Sequence, residues 1–419
     1  MLTFFKNKDN RGFFSFWLAQ LISQFGDRVH QMALVGLIAA RNPGSSVELA
    51  KLLSFTIIPV FIIGPIAGVY IDRWDRRRTL FICDFIRGLL VLLIAFYLMH
   101  LKDIWPMYVA VFIIFSLSRF YVPAKMSFVP EIVEQKDLHV ANSLVTTTGM
   151  IALVLGALLG GLIVEYSGSF GGFLWDAMTF FLSSLLVFSI ATFRRNLPNK
   201  EVIITRTKEM IRSQKSIWVE IGEGIRYIQS QKQIGFILGV MSILFAAAGA
   251  VYVVIIVFIQ QAFHSVTKDL GFLAVPLGVG LFLGSLAYGR WGARLTAFRT
   301  IFWSLILGGG MMVAFASCVE GTHNRFLAMG LSFVLGLVVG PIVIASNTVI
   351  NQVTSKEMSG KVFAALEFVM HLAFILSMLA SSFLADHIAR VWILIAVGGL
   401  FLLVGVIGLF KSRHSSLVS

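Results

Sequence analysis

The sequence predicts an all-α membrane protein with twelve transmembrane helices in two six-helix bundles. Twelve apolar stretches fill the chain almost from end to end, and each reaches the about 20 residues that a helix needs to cross a bilayer. Hydrophobic residues make up 58% of the chain and charged residues only 13%, with a mean hydropathy of +0.87. Soluble domains carry about 25% charged residues, so a soluble fold is excluded.

The twelve spans form two sets of six. The first set lies near 13–40, 47–70, 79–99, 104–123, 142–165 and 170–193. The second set lies near 234–260, 270–289, 297–317, 325–350, 361–385 and 389–410. This spacing divides the chain into an N-terminal bundle over 1–193, a basic linker over 194–232, and a C-terminal bundle with a short tail over 233–419.

Lysine and arginine are distributed unevenly over the loops between the spans. With the N-terminus in the cytoplasm, the inner segments contain 25 Lys and Arg and the outer segments contain six. Short cytoplasmic loops of membrane proteins carry the excess of cations, so we expect both termini to be cytoplasmic. This orientation accounts for the net charge of +13, and no nucleic-acid partner is expected.

The linker over 194–232 is a long polar stretch that mixes nine cations with four Glu. It contains one amphipathic segment, from Ile217 to Ile228. A helix with one apolar face can lie flat along a membrane surface, and we expect this position for the segment. We interpret the linker as a tether without chemistry of its own.

Two short motifs recur in both halves of the chain. The basic motif at 73–77, after the second span, recurs at 290–294 after the eighth, and residues 136–138 recur as 356–358. Internal repeats are typical of transporters whose halves rock about a site near the middle of the membrane. The repeats therefore predict two related bundles around a cavity that opens alternately to each side.

A cluster with the pattern Gly-x-x-x-Asp-Arg-x-x-Arg-Arg lies at the short inner turn after the second span. It resembles the signature of the loop between helices two and three in the major facilitator superfamily (MFS). The resemblance implies close helix packing at the glycine and a latch on the cytoplasmic side, made by Gly68, Asp72, Arg73, Arg76 and Arg77. Asp75 stands where that family usually has glycine. The alternative is that these cations only follow the positive-inside rule.

A narrower resemblance covers the fourth and fifth spans. The stretch from Arg119 to Asn142, with Pro123-Ala124-Lys125, resembles MFS exporters that include macrolide-efflux and enterobactin-export proteins. Together with Gly26-Asp27, the Pro-Ala-Lys element is also similar to the bacterial lysophospholipid transporter. The resemblance implies a monomer in a bacterial cytoplasmic membrane, with a small-molecule or lipid substrate and no cofactor.

Gly156 and Gly160 lie four residues apart in the fifth span, on one face of the helix. Their stretch is similar to the Gly-Pro-x-x-Gly-Gly motif of antiporters, with Ala157 in place of the proline. Independently of the family, small residues on one face allow a neighbouring helix to approach closely. Helix packing and a transport role both stay open for these glycines.

The first span carries a polar stripe. On one helix face, at i, i+4, i+7 and i+11, lie Gln20, Gln24, Asp27 and Gln31, with Arg28 and His30 beside them. An ionisable group inside a membrane is costly, so by default it faces a cavity or a partner. Near the membrane centre, loss of water favours the neutral carboxyl, and we expect Asp27 to exchange protons. The alternative is a static ion pair of Asp27 with Arg28 or Arg119.

Further polar side chains complete the predicted cavity. They are Arg119 and Lys125 in the fourth span, Asn347 and Asn351 in the tenth, and Glu367 and His371 in the eleventh. Arg119 or Lys125 could attract a substrate anion. We expect Glu367 to contact the latch arginines, with a titrating Glu367–His371 pair as the alternative. Asp84 and Arg87, at i and i+3, are interpreted as a structural ion pair.

Enzyme signatures are missing from the sequence, which has no P-loop, no H-E-x-x-H, no G-x-S-x-G and no Cys/His metal spacing. We therefore expect a secondary active transporter and not an enzyme. The expected activity is export of a hydrophobic or amphiphilic organic compound in exchange for protons. The first alternative is a lysophospholipid flippase, and the second is a sensor without transport activity, whose usual mark would be an added soluble domain.

Overall fold

The computed structural model describes residues 11–64, 67, 71, 74–190, 217–292, 296–354 and 356–414, which are almost entirely helical. The first helices are α1 (Arg11–Arg41), α2 (Ser46–Ile62), α3 (Arg76–Phe96), α4 (Trp105–Ile132) and α5 (Leu138–Ser189). The others are α6 (Ile217–Ser230), α7 (Lys232–Phe263), α8 (Lys268–Trp291), α9 (Ala297–Thr322), α10 (Arg325–Val353), α11 (Lys356–Ala385) and α12 (Arg390–His414). Helices suit a membrane because each bonds its own backbone polar groups.

The described helices other than α6 lie over the predicted spans, but the described residues of α1 and α2 fall short of the length or hydropathy of a membrane-crossing helix. Nine helical stretches of the described chain are long and apolar enough to cross a membrane. One of them contains α5, which holds the fifth and sixth predicted spans and breaks at Gly168. There φ is +69°, a left-handed backbone that glycine adopts without a Cβ clash. We call the parts of α5 before and after Gly168 its first and second arms.

The start of α3 shows what Asp75 does at the position where the MFS pattern has glycine. Asp75 is the N-cap residue of α3, and its side chain accepts a hydrogen bond from the backbone N–H of Arg78 at 2.8 Å. A short acidic side chain at this position satisfies one of the free N–H groups of a helix start. The departure from the family pattern therefore supplies a helix cap.

The described helices form two units. The first unit holds α1, α3, α4, α5 and α2 from Leu52 onward, and α1 packs chiefly against α5. The second unit holds α6 to α12 together with Asn42–Lys51. In the second unit, α8 packs on α10, α9 on α12, and α7 on α11. Within this unit, the backbone N–H of Ser46 donates to Asp386 at 3.2 Å, and Arg390 donates to the Ser46 hydroxyl at 3.3 Å.

The linker helix α6 packs against α11. Its apolar residues Ile221 and Ile228 are buried in a cluster with residues of α11. A Cβ on Gly224 would overlap the carbonyl oxygen of Lys361, and Lys361 Nζ lies 2.7 Å from Glu223 Oε2. Part of the apolar face of α6 is thus covered by α11, and the position of the helix along the membrane surface stays a prediction. The earlier part of the linker, up to residue 216, lies outside the described residues.

Candidate functional site

Asp27 lies in the middle of α1 with its side chain 40% exposed. Its carboxylate Oδ1 lies 3.5 Å from Nη1 of Arg87, a buried residue of α3. Both interpretations made from the sequence missed this partner, because they considered only Arg28 and Arg119. Arg28 instead donates to Gln31 Oε1 of its own helix, at 2.9 Å.

Besides Asp27, groups from α3, α4 and α5 hold Arg87. Its guanidinium is bonded to Asp84 on α3 and donates to Ser118 Oγ on α4 at 3.2 Å. The guanidinium carbon lies 4.6 Å from the ring centre of Tyr121 and 4.4 Å from that of Phe180. Cation–π attraction and the adjacent carboxylate offset the loss of hydration around this buried cation. The predicted Asp84–Arg87 ion pair is confirmed.

Asp84 and Tyr121 extend the polar network to α1 and to the second arm of α5. Asp84 is fully buried and accepts a hydrogen bond from Ser183 Oγ at 2.6 Å. Tyr121 Oη accepts one from Gln20 Nε2 at 2.5 Å. Gln20 is fully buried, whereas Asp27 is partly exposed. The predicted polar stripe therefore divides into a buried part that joins helices and an accessible carboxylate.

A second buried pair joins α1 to the second arm of α5. His30 Nδ1 lies 2.8 Å from Asp176 Oδ2, and both side chains are buried. The rings of Phe115 and Phe173 enclose the imidazole, with centroids 6.1 and 5.5 Å away. Sequence reasoning missed this pair because its members are 146 positions apart.

Glycines bring α1 and α5 close enough for these contacts. A Cβ on Gly156 would lie 2.9 Å from Cβ of Arg28, and one on Gly160 would lie 3.0 Å from Cα of Val29. On α1 itself, a Cβ at Gly26 would overlap the side chain of Thr179 in the second arm. Gln24, a further member of the stripe, also faces a glycine of α5. Contacts this short leave no room for larger side chains.

The two cations predicted in α4 are both half-buried. Lys125 is close enough to Asp27 and Arg87 to interact with them electrostatically. Arg119 lies about a turn and a half earlier in the same helix. The structure therefore adds Lys125 to the group of charges around Asp27.

The predicted site residues of the second unit are less fully described. Asn347 and Asn351 lie in α10, and their side chains fall outside what the structure describes. In α11, His371 Nδ1 lies 2.8 Å from the backbone carbonyl oxygen of Glu367, whose side chain is exposed. The expected contact of Glu367 with the latch arginines stays a prediction.

Of the predicted latch residues, the structure describes Arg76 and Arg77. The other latch residues lie outside the described residues: Gly68, Asp72 and Arg73. Arg76 forms an ion pair with Glu131 at the end of α4. Arg77 donates to the backbone carbonyls of Val187, at 3.2 Å, and Phe188 at the end of α5. Cations stabilise the carboxyl end of a helix, so both arginines hold the start of α3 to neighbouring helix ends.

Comparison with known proteins points to one family. A family model described as transmembrane secretion effector matches residues 5–354. The uncharacterized MFS-type transporter YfiS of Bacillus subtilis (strain 168) is 22% identical over 414 residues, which cover 97% of this chain and 94% of YfiS. Macrolide efflux protein A of Streptococcus pyogenes is 23% identical over 390 residues, 90% of either chain.

A solved structure shows the same fold. The crystal structure of a bacterial homologue of the iron transporter ferroportin in an inward-facing state has a TM-score of 0.71 at 14% identity. The match covers 95% of this chain and 98% of that one. At this identity the likeness extends to the arrangement of the helices alone.

Proposed function

The chain belongs to the transmembrane secretion effector family of the MFS transporters, and we propose that it exports a hydrophobic or amphiphilic organic compound in exchange for protons. The observation that carries the proposal is Asp27. It is a partly exposed carboxylate in the middle of α1, the first predicted span, and lies 3.5 Å from a buried guanidinium. Intramembrane carboxylates commonly serve as proton relays.

Asp27 can take up a proton without leaving a buried charge unpaired. When Asp27 becomes neutral, Arg87 keeps Asp84 as its closer ionic partner. Neutralising Asp84 instead would remove that closer partner from a fully buried cation, which costs several kcal/mol. The Asp27 side chain is also 40% exposed, whereas Asp84 is fully buried. Asp27 is therefore the carboxylate of this group best suited to exchange a proton.

Proton uptake at Asp27 changes the charge that a substrate meets. In the ionised state, Asp27 and Asp84 share the guanidinium of Arg87. In the protonated state, the Asp27–Arg87 attraction is lost and the local charge rises by one. A substrate that favours one of these states shifts the equilibrium between them, which is the thermodynamic requirement for coupling.

The substrate class follows from the relatives and from composition. A similar protein from Streptococcus pyogenes is named a macrolide efflux protein, and a macrolide is an organic compound. A few of the 38 Phe and 15 Met are expected to line an apolar cavity. Both observations support an organic substrate with a large apolar surface.

The test uses purified protein in vesicles, with radiolabelled erythromycin as the probe. We expect an imposed pH gradient to accelerate flux at least tenfold in the wild type and in Glu320→Gln, which alters an exposed carboxylate at the end of α9. Asp27→Asn should lose this response and still equilibrate the probe downhill. A wild type that ignores the gradient, or an Asp27→Asn variant that responds normally, would contradict the proposal.

Lys125 favours a second candidate function, flipping of lysophospholipid. Its ammonium is half-buried and lies within electrostatic reach of Asp27. A lipid phosphate could replace the carboxylate as the partner of this cation. The same vesicles can carry a fluorescent lysophosphatidylethanolamine. Gradient-independent movement of this lipid in the wild type, reduced in Lys125→Met, would place this function first.

We propose that both termini lie on the cytoplasmic side of a bacterial inner membrane, from the 25-to-six distribution of cations. Reporter domains fused after Ser419 and inside 194–232 should both give a cytoplasmic signal. A periplasmic signal from either fusion would overturn this orientation.

The latch proposal rests on the motif and on Arg76 and Arg77, which hold helix ends together. We propose that Asp72→Asn and Arg73→Ala leave the protein folded and inserted but slow transport, because the cluster biases conformations and touches no substrate. Normal probe flux in both variants at equal expression would leave these residues only an anchoring role.

A further inference from the structure

We infer that the buried His30–Asp176 pair is a second proton-binding site, coupled to Asp27 along α1. The role of this site in transport rests on the proposed function. Proton binding itself does not, and it can be measured without any substrate.

The geometry separates this site from Asp27 and still keeps the two close. His30 follows Asp27 by three residues, about 4.5 Å along the helix axis. Its partner Asp176 comes from the second arm of α5, with 2.8 Å between Nδ1 and Oδ2. Both side chains are at least nine-tenths buried, whereas Asp27 is partly exposed.

Each side chain of the pair has one buried polar atom that makes no hydrogen bond within the described chain. Within the described chain, His30 Nε2 and Asp176 Oδ1 are buried and have no hydrogen-bond partner. A buried polar atom without a partner costs free energy, so a purely structural pair gains little from keeping two of them. A site that binds and releases a proton needs an atom that is not permanently occupied. Nε2 of His30 is suited to this exchange.

The charge of the pair depends on one proton. With a neutral imidazole the pair carries one negative charge, and with an imidazolium it is neutral overall. The charged groups that face it are Asp27 on α1 and Arg87 on α3, while α4 and α5 contribute the rings of Phe115 and Phe173. A net charge on this pair is costly because both side chains are buried. The charge of a nearby group therefore strongly affects whether the imidazole holds the proton.

Asp27 supplies that neighbouring ionisation. Ionised Asp27 favours the imidazolium of His30, and protonated Asp27 removes this attraction. A proton that leaves the imidazolium and joins the Asp27 carboxylate gives a neutral imidazole and a carboxylic acid, so the total charge is unchanged. The two sites therefore hold one proton alternately, which fits a relay that passes protons along α1.

The experiment follows proton binding in the purified full-length protein with isotope-labelled histidine and infrared difference spectra between roughly pH 5 and 8, where imidazole titrates. We expect one buried imidazole signal in the wild type that is lost in His30→Gln. In Asp27→Asn the same signal should move to lower pH, by at least half a pH unit. His100→Gln removes an exposed imidazole of the first unit, and the His100 signal should not depend on Asp27.

Asp176→Asn provides a second route if His30→Gln fails to fold, because it removes the carboxylate and keeps the size of the side chain. In this variant, the imidazole signal of His30 should titrate at a different pH or be lost. An imidazole signal of His30 that stays constant over the whole pH range overturns the inference, even if Asp27→Asn abolishes gradient-driven flux. A signal that titrates in the same way in the wild type and in Asp27→Asn shows uncoupled sites and also overturns it.

Discussion

The interactions that hold the helices together inside the first unit differ from those inside the second. The described chain buries five Asp, His or Arg side chains, and four of them belong to the first unit: His30, Asp84, Arg87 and Asp176. The fifth is Asp269 at the start of α8, which pairs with the half-exposed Arg325 at 3.0 Å. Among the described residues, the first unit thus buries more ionic groups between its helices than the second unit does.

Glycines bring helices together in both units, and in the second unit they lie directly against the backbone of the neighbouring helix. On α8, Gly280 and Gly284 lie against the backbone of α10, and on α10, Gly336 and Gly340 lie against the backbone of α8. Gly249 on α7 lies in the same way against the backbone of α11. Close backbone contact of this kind depends on van der Waals packing and does not change with pH.

The difference fits the proposed proton exchange in the first unit. Ionic contacts such as Asp27–Arg87 change with protonation, while contacts through glycine do not. A transporter with both kinds of unit can respond to protons in one unit and keep a fixed helix arrangement in the other. Variants that remove either kind of contact test this contrast.

The largest effect is expected for Arg87→Met, which leaves Asp84 buried without its cation. Breaking a buried ion pair in this way costs about 3–5 kcal/mol of stability. Arg325→Met should cost less than half as much, since its side chain is half exposed and water can reach the end of its helix. Chemical unfolding in detergent measures both, and equal losses would contradict the contrast. Adding Asp84→Leu to Arg87→Met should restore part of the loss.

A smaller loss is expected for Gly280→Ala in the second unit. The added methyl group would overlap the carbonyl oxygen of Phe333, and such overpacking costs about 1–3 kcal/mol. Gly289→Ala on the same helix is the matched control, because no atom lies within 4 Å of its Cβ position. The control should gain up to about 1 kcal/mol from helix propensity. If both variants unfold alike, α8 and α10 do not depend on this contact.

The smallest effect concerns helix caps, which both units use. Asp75 caps α3 in the first unit, and Asn324 caps α10 in the second, where it accepts hydrogen bonds at 3.0 and 3.2 Å. Replacing either residue with Ala should cost about 1 kcal/mol, and Asp75→Asn should cost almost nothing. Thermal unfolding of the three variants checks this. A much larger loss for one cap would show a further role beyond capping.

The sequence predicted those parts of the site that depend on local spacing. The Asp84–Arg87 pair follows from a separation of three residues on one helix, and the glycine face of α5 follows from a separation of four. Asp27 was recognised because a carboxylate inside a span is unusual. Its partner Arg87 could not be identified, because that choice depends on how α3 is rotated against α1.

The sequence by itself determined that this is a helical membrane protein with two sets of spans, because hydrophobicity over about 20 residues is a local property of the chain. Only the tertiary structure decided which polar groups are buried together and which reach water. His30 and Asp176 are 146 positions apart and meet because Gly26, Gly156 and Gly160 allow α1 to approach both arms of α5. Such contacts depend on the depth and rotation of packed helices, and no pattern within one helix specifies those.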